Sequence, residues 1–200
     1  MTRYASLAWT FIKRLALLFC LNGFACYGGA NVRYEAPPDA KYRIMGEGRL
    51  SVHELAAFLM QQNRSVSRSR ARELARTYRS EAAKEGVNYD VAFAQMCLET
   101  GFLKFGGDTS SDQNNFAGIG ADGNGPGDRF PSMKIGVRAH IQHLKAYAST
   151  RRLNQPKVDP RFDHVKHGSA TTIFDLSQHW SVLPDYGQRI KTILDRMYAR

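Results

Sequence analysis

Glu99 stands apart among the residues able to do acid–base chemistry. It is the only charged residue between Asp90 and Lys104, and it closes the most apolar stretch of the chain. Low local polarity and the negative end of a helix dipole both disfavour its anion. Both therefore raise its pKa, and a carboxylic acid that keeps its proton near neutral pH can protonate a leaving oxygen. A helix-end carboxylate turned out to water is the competing reading, and the pattern alone leaves the two level. His140-x-x-His143 and His164-x-x-His167 suggest zinc at first sight. No carboxylate or cysteine stands at a spacing that completes three ligands, so these read as solvated histidines and no metal is expected. Gly118-x-Gly120-x-x-Gly123 follows no clear strand and opens no helix, which excludes a dinucleotide loop. There is no P-loop and no serine elbow, and no organic cofactor is implied. Cys97, between Met96 and Leu98, reads as an inert core thiol.

The elements that must hold Glu99 are largely helical. Ser51-x-x-Glu54 is a capping box opening a helix to about Asn63, with Leu55, Phe58 and Leu59 on one face. A second helix, about Ser67 to Glu85, repeats Ala71, Leu74, Ala75, Tyr78 and Ala82 and stops at Gly86. Its arginines (Arg68, Arg70, Arg72, Arg76 and Arg79, with Arg64 just before it) form either a solvated face or one that attracts an anionic polymer. Asn88 or Asp90 caps a third helix from Tyr89 to about Thr100, apolar enough to lie at the centre of the domain. Residues 106–132 are rich in glycine and form an irregular or β-hairpin-like lobe, the composition of a binding loop. Further helices are expected over about Ile135–Ser149, Thr172–Trp180 and Asp185–Tyr198, with Thr172-x-x-Asp175 and Pro184 marking two starts.

At the N-terminus, Arg3, Lys13 and Arg14 precede the apolar run that begins at Leu15, and small residues follow up to Ala30. That order describes a signal peptide over residues 1–30, with an apolar core too short to span a bilayer. Cys26 follows Gly23-Phe24-Ala25, a departure from a lipoprotein box, so export to the periplasm or the exterior is favoured over lipid anchoring at Cys26. Residues 31–49 read as a linker and residues 50–200 as one domain. The 200 residues carry 28 Lys+Arg against 18 Asp+Glu, a net +10. Removing residues 1–30 takes away three positive charges and no negative ones, leaving 25 against 18, or +7. With 43% hydrophobic residues the chain can bury one core, which excludes a disordered tail. Three cysteines without C-x-x-C spacing exclude a disulfide framework. No nucleic-acid motif appears, and the domain is expected to be a monomer.

Three motifs in order carry a resemblance: Gln95-Met96-Cys97-Leu98-Glu99-Thr100-Gly101-Phe102, then Gln113-Asn114-Asn115-Phe116-Ala117-Gly118-Ile119-Gly120, then Pro184-Asp185-Tyr186-Gly187. Over about residues 70–198 the chain resembles the glucosaminidase family of peptidoglycan hydrolases (glycoside hydrolase family 73). The resemblance implies a mostly α, lysozyme-like domain with a small loop-rich or β-hairpin lobe. It implies cleavage of the β-1,4 bond after N-acetylglucosamine in peptidoglycan glycan strands. Glu99 corresponds to the general acid, Asn115 and Phe116 to a cleft-lining pair, and Tyr186 to a tyrosine facing the reaction centre; Gly118, in the second motif, goes with the substrate-binding residues.

An amide at Asn115 can pair with an acetamido group, and Phe116 and Trp180 can stack on a pyranose, although for Trp180 the helical context favours core packing. Asp122 and Asp128 are the candidates for a second carboxylate. A substrate bearing a 2-acetamido group can instead supply its own nucleophile, which the sequence favours slightly. A muramidase or lytic transglycosylase on the same fold and a non-catalytic wall-binding module are the alternatives. Thr100, where transglycosylases usually carry serine, leans away from the former.

Overall fold

The computed structural model describes residues 40–106, 109–121 and 126–199, and these belong to one compact unit, residues 36–200. The signal-peptide reading of residues 1–30, with Cys26, falls outside the described residues. Five α-helices carry the fold: α1 (Val52–Gln62), α2 (Arg68–Glu85), α3 (Tyr89–Glu99), α4 (Met133–Ala148) and α5 (Tyr186–Tyr198). Among the described residues there is no strand, only isolated bridges such as Arg43–Thr172 and Met45–Val87. None of these helices is long and apolar enough to cross a membrane.

Helix starts are set by their caps. The Ser51 hydroxyl accepts from the Glu54 N–H at 3.2 Å, and the Glu54 carboxylate accepts from the Ser51 N–H at 2.7 Å, closing the capping box. Ser67, Asn88 and Ser132 accept from the first-turn amides of α2, α3 and α4. Gly86 ends α2 at φ +73°, a conformation that costs glycine little. Residues Tyr89 to Cys97 of α3 are all buried, since α1, α2, α4 and α5 surround it. Packing also explains two polar ties between α2 and α4: Glu81 with Arg138 (2.8 Å) and the buried pair Glu85 with Lys145 (2.8 Å). Gly136 sits where a Cβ would lie 1.7 Å from the Asn114 carbonyl oxygen, so only glycine lets α4 approach the lobe this closely.

Two expectations are corrected. The segment 40–49 is not a free linker: Ile44 is fully buried, its N–H donates to the Thr171 carbonyl, and its own carbonyl accepts from Asn88 N–H. No helix forms over 172–180. Asp175 does accept from the amides of Thr171 and Thr172, as a cap would, but the chain turns because Gln178 adopts φ +67°. Among its described residues the lobe is loop-rich, with no hairpin. It is laced by Phe130 N–H to Gln113 O (2.8 Å) and Asp128 N–H to Ile119 O (2.7 Å), and a small apolar cluster of Ala117, Ile119, Phe130 and Ala139 anchors it to α4.

Candidate active site

Glu99 is the last residue of α3, half-buried at the mouth of a chamber of about 310 Å³ formed by α3, the glycine-rich lobe, the 177–183 turn and α5. Directly after it the chain makes an unusual reversal. Phe102, Leu103 and Phe105 all take positive φ, a costly conformation for residues with a Cβ. The reversal is held by Leu103 N–H donating to Thr100 Oγ1 (2.9 Å) and Asn63 Nδ2 donating to the Phe102 carbonyl (2.9 Å). Helix α3 therefore stops at Glu99 and the carboxylate faces the chamber.

The two carboxylate oxygens have different surroundings. The Tyr186 hydroxyl donates a short hydrogen bond to Oε1. Oε2 lies under Gly118, where an added Cβ would come within 3.4 Å of it. The Trp180 side chain lies close enough to the Glu99 carboxyl to favour its anion. Burial pushes the Glu99 carboxyl above the usual glutamate range, and the Tyr186 hydrogen bond and the nearby Trp180 side chain only partly offset this. Tyr186, packed in the core beside that carboxylate, has its phenol pushed well above 10 and stays protonated.

Behind Tyr186 lie buried polar groups that the sequence reading passed over. Gln95 Nε2 donates to the Tyr186 hydroxyl at 2.8 Å, and Gln95 Oε1 faces His140 Nε2 at 3.0 Å. His140 is fully buried, not solvated, and its Nδ1 is 2.9 Å from the Tyr78 hydroxyl. Burial lowers its pKa to about 3, so the ring is neutral. His143 likewise is not free in solvent, since its Nδ1 pairs with the buried carboxylate of Asp159 at 2.7 Å. His164 and His167 are exposed. No group of three metal-ligating side chains occurs among the described residues. Gln95, one helical turn before Glu99 and polar inside an apolar helix, was the available signal.

The other sequence candidates divide. Trp180 and Gly118 line the chamber and also a second hollow of about 250 Å³, with His143, Tyr147, Arg161 and His164, so one cleft continues past both. Trp180 meets the rings of His143 and Tyr147, with centroids 4.9 and 5.7 Å away. Asn115 and Phe116 are fully buried and offer no surface to a sugar. The Asn115 amide is taken up by the carbonyls of Ile119 (2.8 Å) and Asp128 (2.9 Å) and by the amides of Ile119 and Ala117, so it braces the loop that presents Gly118. Asp128 lies against Gly120 and Arg161, not in the lining of the chamber around Glu99. Asp122 lies outside the described residues. Cys97 is buried and free, and burial raises its thiol pKa.

Comparison with known proteins adds three findings. The family described as mannosyl-glycoprotein endo-beta-N-acetylglucosaminidase (Glucosaminidase) matches residues 75–199, a span that holds Glu99, Gly118, Trp180 and Tyr186. An uncharacterized protein of Borreliella burgdorferi is 43% identical over 152 residues, which cover 76% of this chain and 74% of that relative. No solved structure matches.

Proposed function

The chain belongs to the glucosaminidase family of glycoside hydrolases, and from that premise we propose that it cleaves the β-1,4 bond after N-acetylglucosamine in peptidoglycan, with Glu99 as general acid. The observation that carries this reading is the asymmetry of the Glu99 carboxyl. Oε1 is held by Tyr186, while Oε2 faces the cleft beneath Gly118. A proton on Oε2 passes to the glycosidic oxygen as the C1–O bond breaks, and the raised pKa keeps that proton in place near neutral pH.

Among the described residues Glu99 is the one carboxylate lining its chamber. In the scheme proposed, the nucleophile is the substrate's own 2-acetamido group. The 2-acetamido carbonyl oxygen bonds to C1 as the leaving oxygen takes the proton, and the Glu99 carboxylate then removes a proton from the water that opens the resulting ring. Tyr186, whose hydroxyl already serves Glu99 and Gln95, acts on the acid in this scheme and not on the acetamido group. Trp180, which lines both hollows, and Tyr147 in the second offer aromatic faces to sugars along the cleft. The leader-like residues 1–30 support export to the wall compartment.

A single carboxylate also suits a lytic transglycosylase, so the test must read the new chain end. Purified peptidoglycan is treated with the wild-type chain and with Glu99→Gln, the soluble products are reduced with borohydride, and the ends are identified by mass spectrometry. Reduced N-acetylglucosamine ends from wild type only are expected. Anhydro or reduced muramic ends would overturn the bond assignment, and equal blanks would remove Glu99 from the chemistry.

A further inference from the structure

Tyr78, His140, Gln95 and Tyr186 come from α2, α4, α3 and α5, and they meet in one line that ends on Glu99. Tyr78, His140 and Gln95 are fully buried and Tyr186 nearly so. The polarity of this line is fixed by elimination. Gln95 uses its amide N–H on Tyr186, so its carbonyl must accept from His140 Nε2, which places the single ring proton of the neutral imidazole there. Nδ1 is then an acceptor for the Tyr78 hydroxyl. Tyr186 already accepts from Gln95, and its own proton is directed to Glu99 Oε1. Every hydrogen bond points the same way, and aligned bonds of this kind strengthen one another in a low-dielectric interior.

Four helices thus each place a polar group in the core, where an apolar side chain would pack without the cost of desolvation. We propose that Gln95 and His140 are positioning residues, which with Tyr78 hold the Tyr186 hydroxyl as donor to Oε1 of Glu99 and so keep Oε2 as the proton-carrying oxygen. The inference rests on the assignment of Glu99 as the acid. The titratable and charged groups that face this line are few. Arg189 of α5 borders the Glu99 chamber. Cys97 of α3 bears on Tyr78; on α4, Tyr147 bears on Tyr186, and His143, paired with Asp159, bears on His140.

The test replaces Gln95 by Met, which keeps the length of the side chain and removes both hydrogen bonds, and Tyr78 by Phe, which removes one distant oxygen. Each change is made in wild type and in Tyr186→Phe. Gln95→Met is expected to lower kcat about tenfold with KM within about twofold, and Tyr78→Phe to act in the same direction but less. Losing the donor to the anion moves the alkaline limb of the kcat/KM profile to higher pH. In the Tyr186→Phe background both changes should have no further effect on kcat. Equal losses in both backgrounds, with an unmoved pH profile, would mean that the line only fills space. If Gln95→Met does not fold, Tyr78→Phe carries the same comparison. Carbon-13 titration of the Glu99 carboxyl reads the relay apart from turnover. An inactive wild type whose Glu99 titration still responds to Tyr78→Phe would sink the assigned reaction and keep the relay, and an active one whose titration does not respond would do the reverse.

Discussion

A single carboxyl group does the chemistry proposed here, and what surrounds it at atomic range decides whether it can. Gly118 is the closest control on Oε2. It holds φ +65°, and a Cβ there would stand 3.4 Å from the carboxylate oxygen. Gly118→Ala should cost about 1 kcal/mol of stability from the left-handed backbone, and it should lower kcat/KM by at least an order of magnitude by crowding the leaving oxygen. Steady-state kinetics and a melting curve on the same sample check both. A large loss of stability with unchanged turnover per folded molecule would show that Gly118 matters only to the loop. The sequence pointed to Glu99 because a lone charge at the end of an apolar helix is visible in one dimension. Gln95 and His140 were not visible as partners, because α3 and α4 are separated in sequence by the whole glycine-rich lobe. Asn115 was visible as an amide in a loop, but the carbonyls of Ile119 and Asp128 that consume it depend on how that loop folds back.

The helices hold these groups in place through ties that are local in origin at their starts and non-local in their packing. Capping boxes and first-turn acceptors are written within three or four residues, which is why the starts of α1, α2 and α3 could be read directly. The turn at 172–180 carried the same kind of signal and still failed to become a helix. Asp175 made its cap bonds, but Gly187 of α5 packs so tightly there that a Cβ would sit 2.5 Å from the Ile173 carbonyl oxygen, and Gln178 leaves helical space. Tertiary contact overrode propensity. Between α2 and α4 the main polar tie is Glu85, whose carboxylate accepts from Lys145 Nζ and from the amides of Asn154 and Gln155. Removing one partner of a buried pair leaves the other charge uncompensated, so Glu85→Met should cost about 3–5 kcal/mol in urea unfolding. The double variant Glu85→Met with Lys145→Met should recover most of that. If the double variant is as unstable as the sum of the singles, the amides of Asn154 and Gln155, and not the ion pair, are what Glu85 serves.

For the molecule as a whole, the buried titratable groups set how stability changes with pH, and they do not all act in one direction. Glu99 and Asp90 are pushed up by burial, so the folded state binds their protons more readily and they favour folding as the pH falls. Burial would also raise Asp195, but hydrogen bonds from Lys191, Lys41 and Tyr42 prevail and bring it to about 2. Its contribution is present above the unfolded carboxylate pKa and is lost as pH falls from about 4 towards 2. His140 acts earlier. Burial holds its folded pKa at about 3, whereas the unfolded ring titrates near 6.5, so below 6.5 the unfolded state takes up a proton that the folded state refuses. Stability is therefore lost with falling pH through that window, by about 2 kcal/mol at pH 5. Melting temperatures measured from pH 7 to pH 2 should fall in two stages, one beginning near 6.5 and one below 4. His140→Gln should flatten the first stage and leave the second. A first stage of equal slope in that variant would show that His140 takes up its proton in the folded protein at the same pH as in the unfolded chain. Below that pH the Gln95 carbonyl would still accept from Nε2, but Nδ1 would donate to the Tyr78 hydroxyl, and the line to Glu99 would begin at a charged ring instead of at Tyr78.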